Sequence, residues 1–356
     1  MDLKAIDTTK PVMVTGATGF VAGWIVKRLL DAGLTVHAAV RDPSKPEKVK
    51  YLEALTANAT GMIRFFKSDL LDEGSYADAM AGCSHVFHTA SPFFVNVADP
   101  QRDLVDPALL GTRNVLEQVN KTPSVEHVVL TSSCAAVYGD NIDLRDTRNG
   151  VFTEEDWNKS SSLTHQPYYY SKTVAEREAW QIADGQDRWK MVVVNPHFVM
   201  GPGVSPLATS QSFLTLEQMA DGRMAMGVPD IRLAVVDVQD VADMHMYAAF
   251  HPKAEGRYLT FDQSMTFPEM AAILRDHFGD RFAFPKRVLP KWLVWLVGSF
   301  VDKSMTKKAV SRNIGLPWIG DNSKGKRDFG MTYRPTDQAI VAMFQQMIDH
   351  GRVKEK

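Results

Sequence analysis

Short apolar runs rich in β-branched residues, each long enough for one buried strand, recur through the first half of the chain and alternate with helical patterns. Val12–Thr15 comes first, and Trp24–Ala32 follows as a helical pattern stopped by Gly33, which suits a helix C-terminus. Further strand-like runs fall at Thr35–Val40, Ile63–Ser68, His85–Thr89, Val128–Thr131 and Met191–Asn195. Apolar strands separated by helices predict βαβ units, so the expected fold class is α/β, with a doubly wound parallel sheet covered on both faces.

Beyond Pro196 the periodicity loosens into a loop carrying Gly201, Pro202, Gly203 and Pro206, and shorter mixed segments follow. Residues 1–200 are therefore expected to form the main domain and 201–356 mainly a smaller C-terminal lobe. A strand at Arg257–Thr260, within 235–262, is expected to return to the main sheet, so the two parts interleave. The apolar run Trp292–Val301 is broken by Gly298 and falls short of the roughly 20 residues a membrane span needs. Its Trp292, Leu293, Trp295 and Leu296 make an apolar helical face, expected to be buried against the lobe; a lid or dimer contact is the alternative.

Composition narrows the classes. With 45% hydrophobic and 23% charged residues among 356, the chain can bury a large core, and disorder is not expected. Forty basic against 42 acidic side chains give a net charge of -2, which argues against nucleic acid as a partner. The two cysteines, Cys83 and Cys134, lie in apolar stretches and do not make a disulfide framework. Met1–Lys10 is polar and lacks the apolar core of a secretory signal. These features predict a cytoplasmic protein with no membrane partner.

Directly after the first strand the chain reads Thr15-Gly16-Ala17-Thr18-Gly19-Phe20-Val21-Ala22-Gly23 and then turns helical. Glycines let a backbone bend tightly against a pyrophosphate while a helix N-terminus offers it free N–H groups, so this turn predicts dinucleotide binding. Ala22 stands where a third glycine is often found, and its small side chain still permits close helix–strand packing. The second strand ends in Val40-Arg41, where NAD enzymes usually place a carboxylate for the ribose. Arg41 suits a 2′-phosphate instead, and Lys48 adds a second cation; the alternative for both is a solvated surface charge. NADPH/NADP⁺ is the expected cofactor. Asp42, in a slightly different register, would tolerate NADH.

Tyr168 and Lys172 stand four residues apart in a helical stretch, hence on one face, with Cβ atoms roughly 5–6 Å apart. A free phenol titrates near about 10, so acid–base work near neutrality needs a charge beside it, which Lys172 supplies. Upstream, the strand at Val128–Leu130 ends in Thr131-Ser132-Ser133-Cys134, which puts hydroxyls at the ligand-binding edge of a parallel sheet. His88 and His197 flank the expected cleft without metal-ligand spacing, so packed histidines are expected and no metal. Phe93, Phe94, Phe198, Phe213 and Met200 are either a pocket wall or core.

Together these residues resemble the extended short-chain dehydrogenase/reductases, and within them the dihydroflavonol reductase and cinnamoyl-CoA reductase branch. The resemblance rests on the glycine turn, Val-Arg-Asp-Pro with Lys48, Asp69-Leu70, Val-Phe-His-Thr-Ala-Ser-Pro at 86–92, Thr-Ser-Ser, Tyr168 with Lys172, Asn195-Pro196 and Gly256-Arg257-Tyr258. It implies a Rossmann-type domain and a catalytic set of Ser133, Tyr168 and Lys172. Ser133 is preferred to Ser132 because it precedes Tyr168 by the branch's 35 positions; an epimerase-style alignment would select Cys134. The resemblance also implies that Gly16, Thr18, Gly19, Phe20 and Val21 hold the pyrophosphate side of the cofactor. Arg41 and Lys48 would take its 2′-phosphate and Asp69 with Leu70 its adenine. Thr89, Ala90 and Ser91 would line it, and Pro196, Phe198 and Val199 would flank the nicotinamide. The substrate pocket is expected to include Phe93, Phe94, Tyr138 and Met200.

The branch carries an asparagine where this chain has Tyr138, which counts against flavonoid reduction, and Phe284–Pro317 is longer and more apolar than the branch pattern. The expected activity is reduction of a small aldehyde or ketone by a monomer or homodimer. The alternatives are a nucleotide-sugar epimerase, a hydroxysteroid dehydrogenase or a non-catalytic dinucleotide sensor.

Overall fold

A computed structural model describes residues 6–91 and 97–356. Its strands are β1 (Val12–Thr15), β2 (Thr35–Val40), β3 (Met62–Lys67), β4 (His85–His88), β5 (His127–Thr131), β6 (Lys190–Pro196), β7 (Phe198–Met200), β8 (Val228–Pro229), β9 (Arg232–Asp237), β10 (Gly256–Thr260), β11 (Gln263–Thr266) and β12 (Val288–Leu289). The helices are α1 (Phe20–Asp31), α2 (Pro46–Leu55), α3 (Ala77–Met80), α4 (Asp106–Asn120), α5 (Pro167–Asp184), α6 (Gln211–Ala220), α7 (Val238–Phe250), α8 (Phe267–Phe278), α9 (Lys291–Val301), α10 (Lys307–Asn313), α11 (Ser323–Phe329) and α12 (Thr336–Asp349).

Seven strands form a parallel sheet in the order β10-β6-β5-β4-β1-β2-β3. The order reverses at β1, where chain leaving β1 turns one way and chain leaving β4 the other; a ligand crevice opens outside the strand ends at such a point. Two core clusters cover the sheet's faces. One joins α1 and β2 to α7 and Tyr258 of β10; the other joins Val86, Val128 and Val193 to Val115, Leu116 and Val119 of α4. The return of the chain to the sheet through α7 and β10 follows from their sequence: Tyr258 and Leu259 are fully buried, as are Val241, Ala242 and Met244.

A second unit holds the antiparallel pair β11 and β9 with β7 parallel to β9, packed on α6, α8 and α12. It is tied to the first by the Trp24 indole, which donates to the Pro202 carbonyl at 2.8 Å.

Helix α1 begins at Phe20, four residues before the expected Trp24. Phe20 is 5.2 Å from Phe213 in an edge-on ring contact and anchors the first turn in the second core, so the glycine turn runs straight into helix. A larger departure concerns the apolar run near residue 295. It forms α9, yet Trp292, Trp295, Leu296, Phe300 and Val301 are exposed, and Val294 and Gly298 alone of its residues are buried. An apolar run has no sequence mark that separates a core-facing side from an outward one, and here the supporting cluster is too small to cover both.

Candidate active site

The turn after β1 is held by side-chain and backbone geometry together. Thr15 Oγ1 accepts from the Thr89 and Ala90 amides at 3.1 and 3.0 Å and meets His88 Nδ1 at 3.0 Å, so the ends of β1 and β4 are locked. Gly16 has φ +60°, and a Cβ there would lie 3.0 Å from that of Ala90; a side chain would be strained twice, by backbone and by space. The Gly19 amide donates to the Gly16 carbonyl at 2.8 Å, and Gly19 caps α1 with no side-chain hydrogen bond. The first N–H groups of α1 are thus left for an outside acceptor.

Beside this turn lies an open cleft with a volume of about 460 Å³, lined by Gly16, Thr18, Gly19, Arg41, Lys48, Asp69, Leu70, Thr89, Ala90 and Ser91, all expected from sequence. Arg41 extends into solvent, 85% exposed, and meets the Asp69 carboxylate only at 3.6 Å. Asp42 is occupied otherwise, since its carboxylate accepts from the Ser44 amide at 3.1 Å and its hydroxyl at 2.6 Å. Arg41, Lys45 and Lys48 thus bring three cations to the lining of this cleft. Ser68 Oγ, buried on the cleft wall, has no partner. An orphaned hydroxyl, a glycine cradle and an open helix end fit a phosphorylated dinucleotide.

Across the sheet's C-terminal edge, Pro167 opens α5 and Tyr168 and Lys172 follow on its first turns. Gln166, left-handed at φ 54°, sets the entry angle of that helix. Although Tyr168 is 44% exposed, desolvation of its surroundings raises the phenol to about 12, the neighbouring Tyr169 adds to this, and Ser133 works the other way. Lys172 Nζ donates to Ser91 Oγ at 2.7 Å and stands 5.8 Å from the Tyr168 ring centre. Burial lowers the ammonium to about 8, against a smaller opposing pull from Glu176. Among the groups that act on the Tyr168 phenol, Ser133 is the one that lowers it.

The family decides how these parts are read, and residues 12–261 match the NAD dependent epimerase/dehydratase family. The chain belongs to that family. A cinnamoyl-CoA reductase of Medicago truncatula is 40% identical over 268 residues, covering 74% of this chain and 80% of that protein. A bifunctional dihydroflavonol 4-reductase/flavanone 4-reductase of Pyrus communis is 34% identical over 280 residues, covering 76% and 77%. Among solved structures, the yeast methylglyoxal/isovaleraldehyde reductase Gre2 complexed with NADPH superposes with a TM-score of 0.76 at 26% identity, covering 96% of this chain and all (100%) of that one. The resemblance to the extended short-chain reductases and their dihydroflavonol and cinnamoyl-CoA branch is thereby borne out.

Within this family member Ser132 and Ser133 part company. Ser132 Oγ is buried and donates to Glu176, whereas Ser133 is partly buried, accepts from the Ala135 amide at 3.1 Å and acts to lower the Tyr168 phenol. Glu176 in turn accepts from Asn195 at 2.8 Å and pairs with Arg257 at 2.7 Å, all three fully or nearly buried. Arg257 also donates to the Glu154 and Asp156 carbonyls and lies 4.1 Å from the Trp157 ring centre. This polar knot joins α5 to β5, β6 and β10 directly beneath Tyr168 and Lys172.

Other expectations meet the structure unevenly. Pro196 ends β6, and Phe198 and Val199 begin β7 beside the second core. Phe20 and Val21 put their side chains into core packing, so only their backbone serves the turn. Met200 is fully enclosed, and Tyr138 is buried among Phe152, Tyr169 and Trp318 with its hydroxyl 2.6 Å from His197. Neither faces the cleft, and Phe213 is likewise core. Phe93 and Phe94 lie outside the described residues. His88 and His197 are packed and held neutral, each lowered to about 3, by burial first. Burial also pushes the Cys83 thiol up to about 12 and raises Cys134 further. Lys45, Ser68 and Tyr76 line the cleft without having been singled out in the sequence. A cation three residues before Lys48 was the available signal for Lys45.

The Lys172 value carries a pH prediction. Burial disfavours the ammonium, so the charged form prevails below about 8 and is lost as pH rises through it. For carbonyl reduction kcat/KM is expected to fall above about pH 8, and Lys172→Arg, charged throughout, is expected to flatten that limb; a limb unchanged by the substitution assigns it to another group.

Proposed function

We propose that this chain is an NADPH-dependent carbonyl reductase that reduces a small aldehyde or ketone, with Tyr168 as proton donor. It is an NAD(P)-dependent oxidoreductase by family and by the reductases it resembles. The observation that carries the finer reading is Arg41, 85% exposed at the end of β2 with only a long 3.6 Å contact to Asp69, while Asp42 is engaged by Ser44 and Lys45. A guanidinium binds a phosphate through two charge-assisted hydrogen bonds, and a tied carboxylate is not available for an unphosphorylated ribose.

The cofactor supplies the hydride. The backbone of Gly16–Val21 holds its pyrophosphate, Arg41 with Lys45 and Lys48 its 2′-phosphate, and Asp69 with Leu70 its adenine end. Ser133 and Tyr168 hold the substrate oxygen by two hydrogen bonds, and Tyr168 gives its proton to that oxygen as the carbonyl carbon is reduced. A phenol raised by desolvation is protonated at neutral pH, the form reduction needs. Lys172 holds the ribose and offers a charge to the phenolate as it forms. Residues 1–200 with α7 and β10 form the cofactor domain, and most of 201–356 the substrate lobe. Tyr138 spends its hydroxyl on His197, so it offers nothing to a polyphenol, in keeping with a small substrate.

The test is consumption of NADPH and NADH with a panel of aldehydes, α-keto compounds, cyclic ketones and flavanonols, by the natural chain and Arg41→Ala. Losing a charge-assisted phosphate contact of roughly 1.5–3 kcal/mol should raise KM for NADPH about tenfold or more and leave NADH nearly unchanged. Equal effects on both cofactors would remove Arg41 from the phosphate site. Bound NAD⁺ in the purified protein, with no net consumption, would instead favour an epimerase.

A further inference from the structure

Helix α9 turns its hydrophobic side away from the protein. Trp292, Trp295, Leu296 and Phe300 fall at i, i+3, i+4 and i+8 and share one face. Phe300 is 89% exposed and Val301 85%, while the opposite face rests through Val294 on Val310 and Ile314. Solvent-exposed aromatics in one contiguous patch mark a binding surface more often than scattered apolar residues do.

Charge says what kind of surface. Between Phe282 and Gly320 the sequence holds seven lysines and arginines and one acid, Asp302, a net of +6 in a chain whose total is -2. Lys286 and Arg312 are paired, with Asp280 and with Asp140 and Asp143. Lys303, Lys307 and Lys308 are exposed, and the Lys307 amine lies 4.2 Å from the Trp295 ring centre, which puts a cation against the apolar face.

We propose that α9 and its basic rim dock flat on an anionic lipid bilayer, the aromatic face entering the boundary between headgroups and acyl chains. A bilayer surface offers an apolar layer beneath an anionic one, the two properties this patch matches. A second copy of the chain does not, because a two-fold contact would set the exposed Lys303, Lys307 and Lys308 of one copy against those of the other. At 11 residues, about 16 Å, the helix is too short to span, and among the described residues no helix is long and apolar enough to do so. Docking in the plane needs no such length.

The experiment is co-sedimentation of the full chain with vesicles of phosphatidylcholine alone and of phosphatidylcholine with phosphatidylglycerol. Binding to the anionic vesicles is expected, with a blue shift of tryptophan emission and release as salt is raised. Trp295→Ser with Phe300→Ser is expected to weaken partitioning about tenfold or more, and Lys303→Glu with Lys307→Glu to weaken it on anionic vesicles, without loss of turnover in lipid-free buffer. Circular dichroism checks that each variant is folded. No binding to anionic vesicles, or binding that neither folded variant reduces, overturns the proposal. So does a concentration-dependent dimer that Phe300→Ser dissociates, since the face would then be covered by a second copy.

Discussion

Tyr168→Phe is expected to bind NADPH as the natural chain does and to lose a hundredfold to about ten-thousandfold in kcat for carbonyl reduction, the usual range for a general acid. The ring is kept, so its edge-on contact with Tyr169 persists and α5 keeps its start. What goes is one oxygen, which is both the proton source and one of two donors to the substrate oxygen. Ser133→Ala removes the other donor, the group that opposes the upward pull of desolvation on the phenol, so a smaller fall in kcat is expected. Steady-state rates with cofactor binding measured separately check both. A Tyr168→Phe variant with near-natural kcat would take the tyrosine out of the chemistry.

The second large effect concerns stability. Glu176→Ala is expected to cost about 3–5 kcal/mol, because it strands the buried Arg257 guanidinium and removes the acceptor of Ser132 and Asn195. Exposed pairs set the scale: Glu355→Ala, which breaks a contact with Arg281 whose members are both about half exposed, is expected to cost no more than about 1 kcal/mol. Glu176→Gln keeps the acceptor oxygen and is expected to fall between the two. Thermal unfolding of the three variants checks the order. Equal losses for Glu176→Ala and Glu355→Ala would mean that the buried knot contributes nothing beyond a surface contact. Because the knot lies under α5, the Ala variant is also expected to lose activity by displacing Tyr168 and Lys172 together.

What was legible in the sequence was local. The glycine turn could be read because strand, turn and helix are consecutive, and its strain at Gly16 depends on one neighbour, Ala90. Tyr168 and Lys172 could be read because helical spacing alone puts them on one face. Arg41 could be read because it ends a strand whose neighbour carries the turn. Residues that reach the cleft only through sheet order were harder: Ser68 and Tyr76 follow β3, which lies two strands from β1, and nothing in their own segments marks them. Glu176 carries no mark in its own segment, since its partners Asn195 and Arg257 come from β6 and β10. For Tyr138 and Met200 side-chain direction, which sequence position does not give, turns both into cores. Helix α9 shows the same limit from the other side: its apolar pattern was plain, and its outward orientation depends on how little Val310 and Ile314 can cover.

The central claim is transfer of hydride from NADPH to a carbonyl carbon with the proton supplied by Tyr168. It is tested most directly by single-turnover reduction of an aldehyde or ketone that the panel identifies, with NADPH deuterated at the transferring position. The account predicts one deuteron per alcohol, on the former carbonyl carbon, with loss of NADPH equal to alcohol formed, and at least a hundredfold slower transfer by Tyr168→Phe. Alcohol without deuterium, or equal rates from the two proteins, would contradict it.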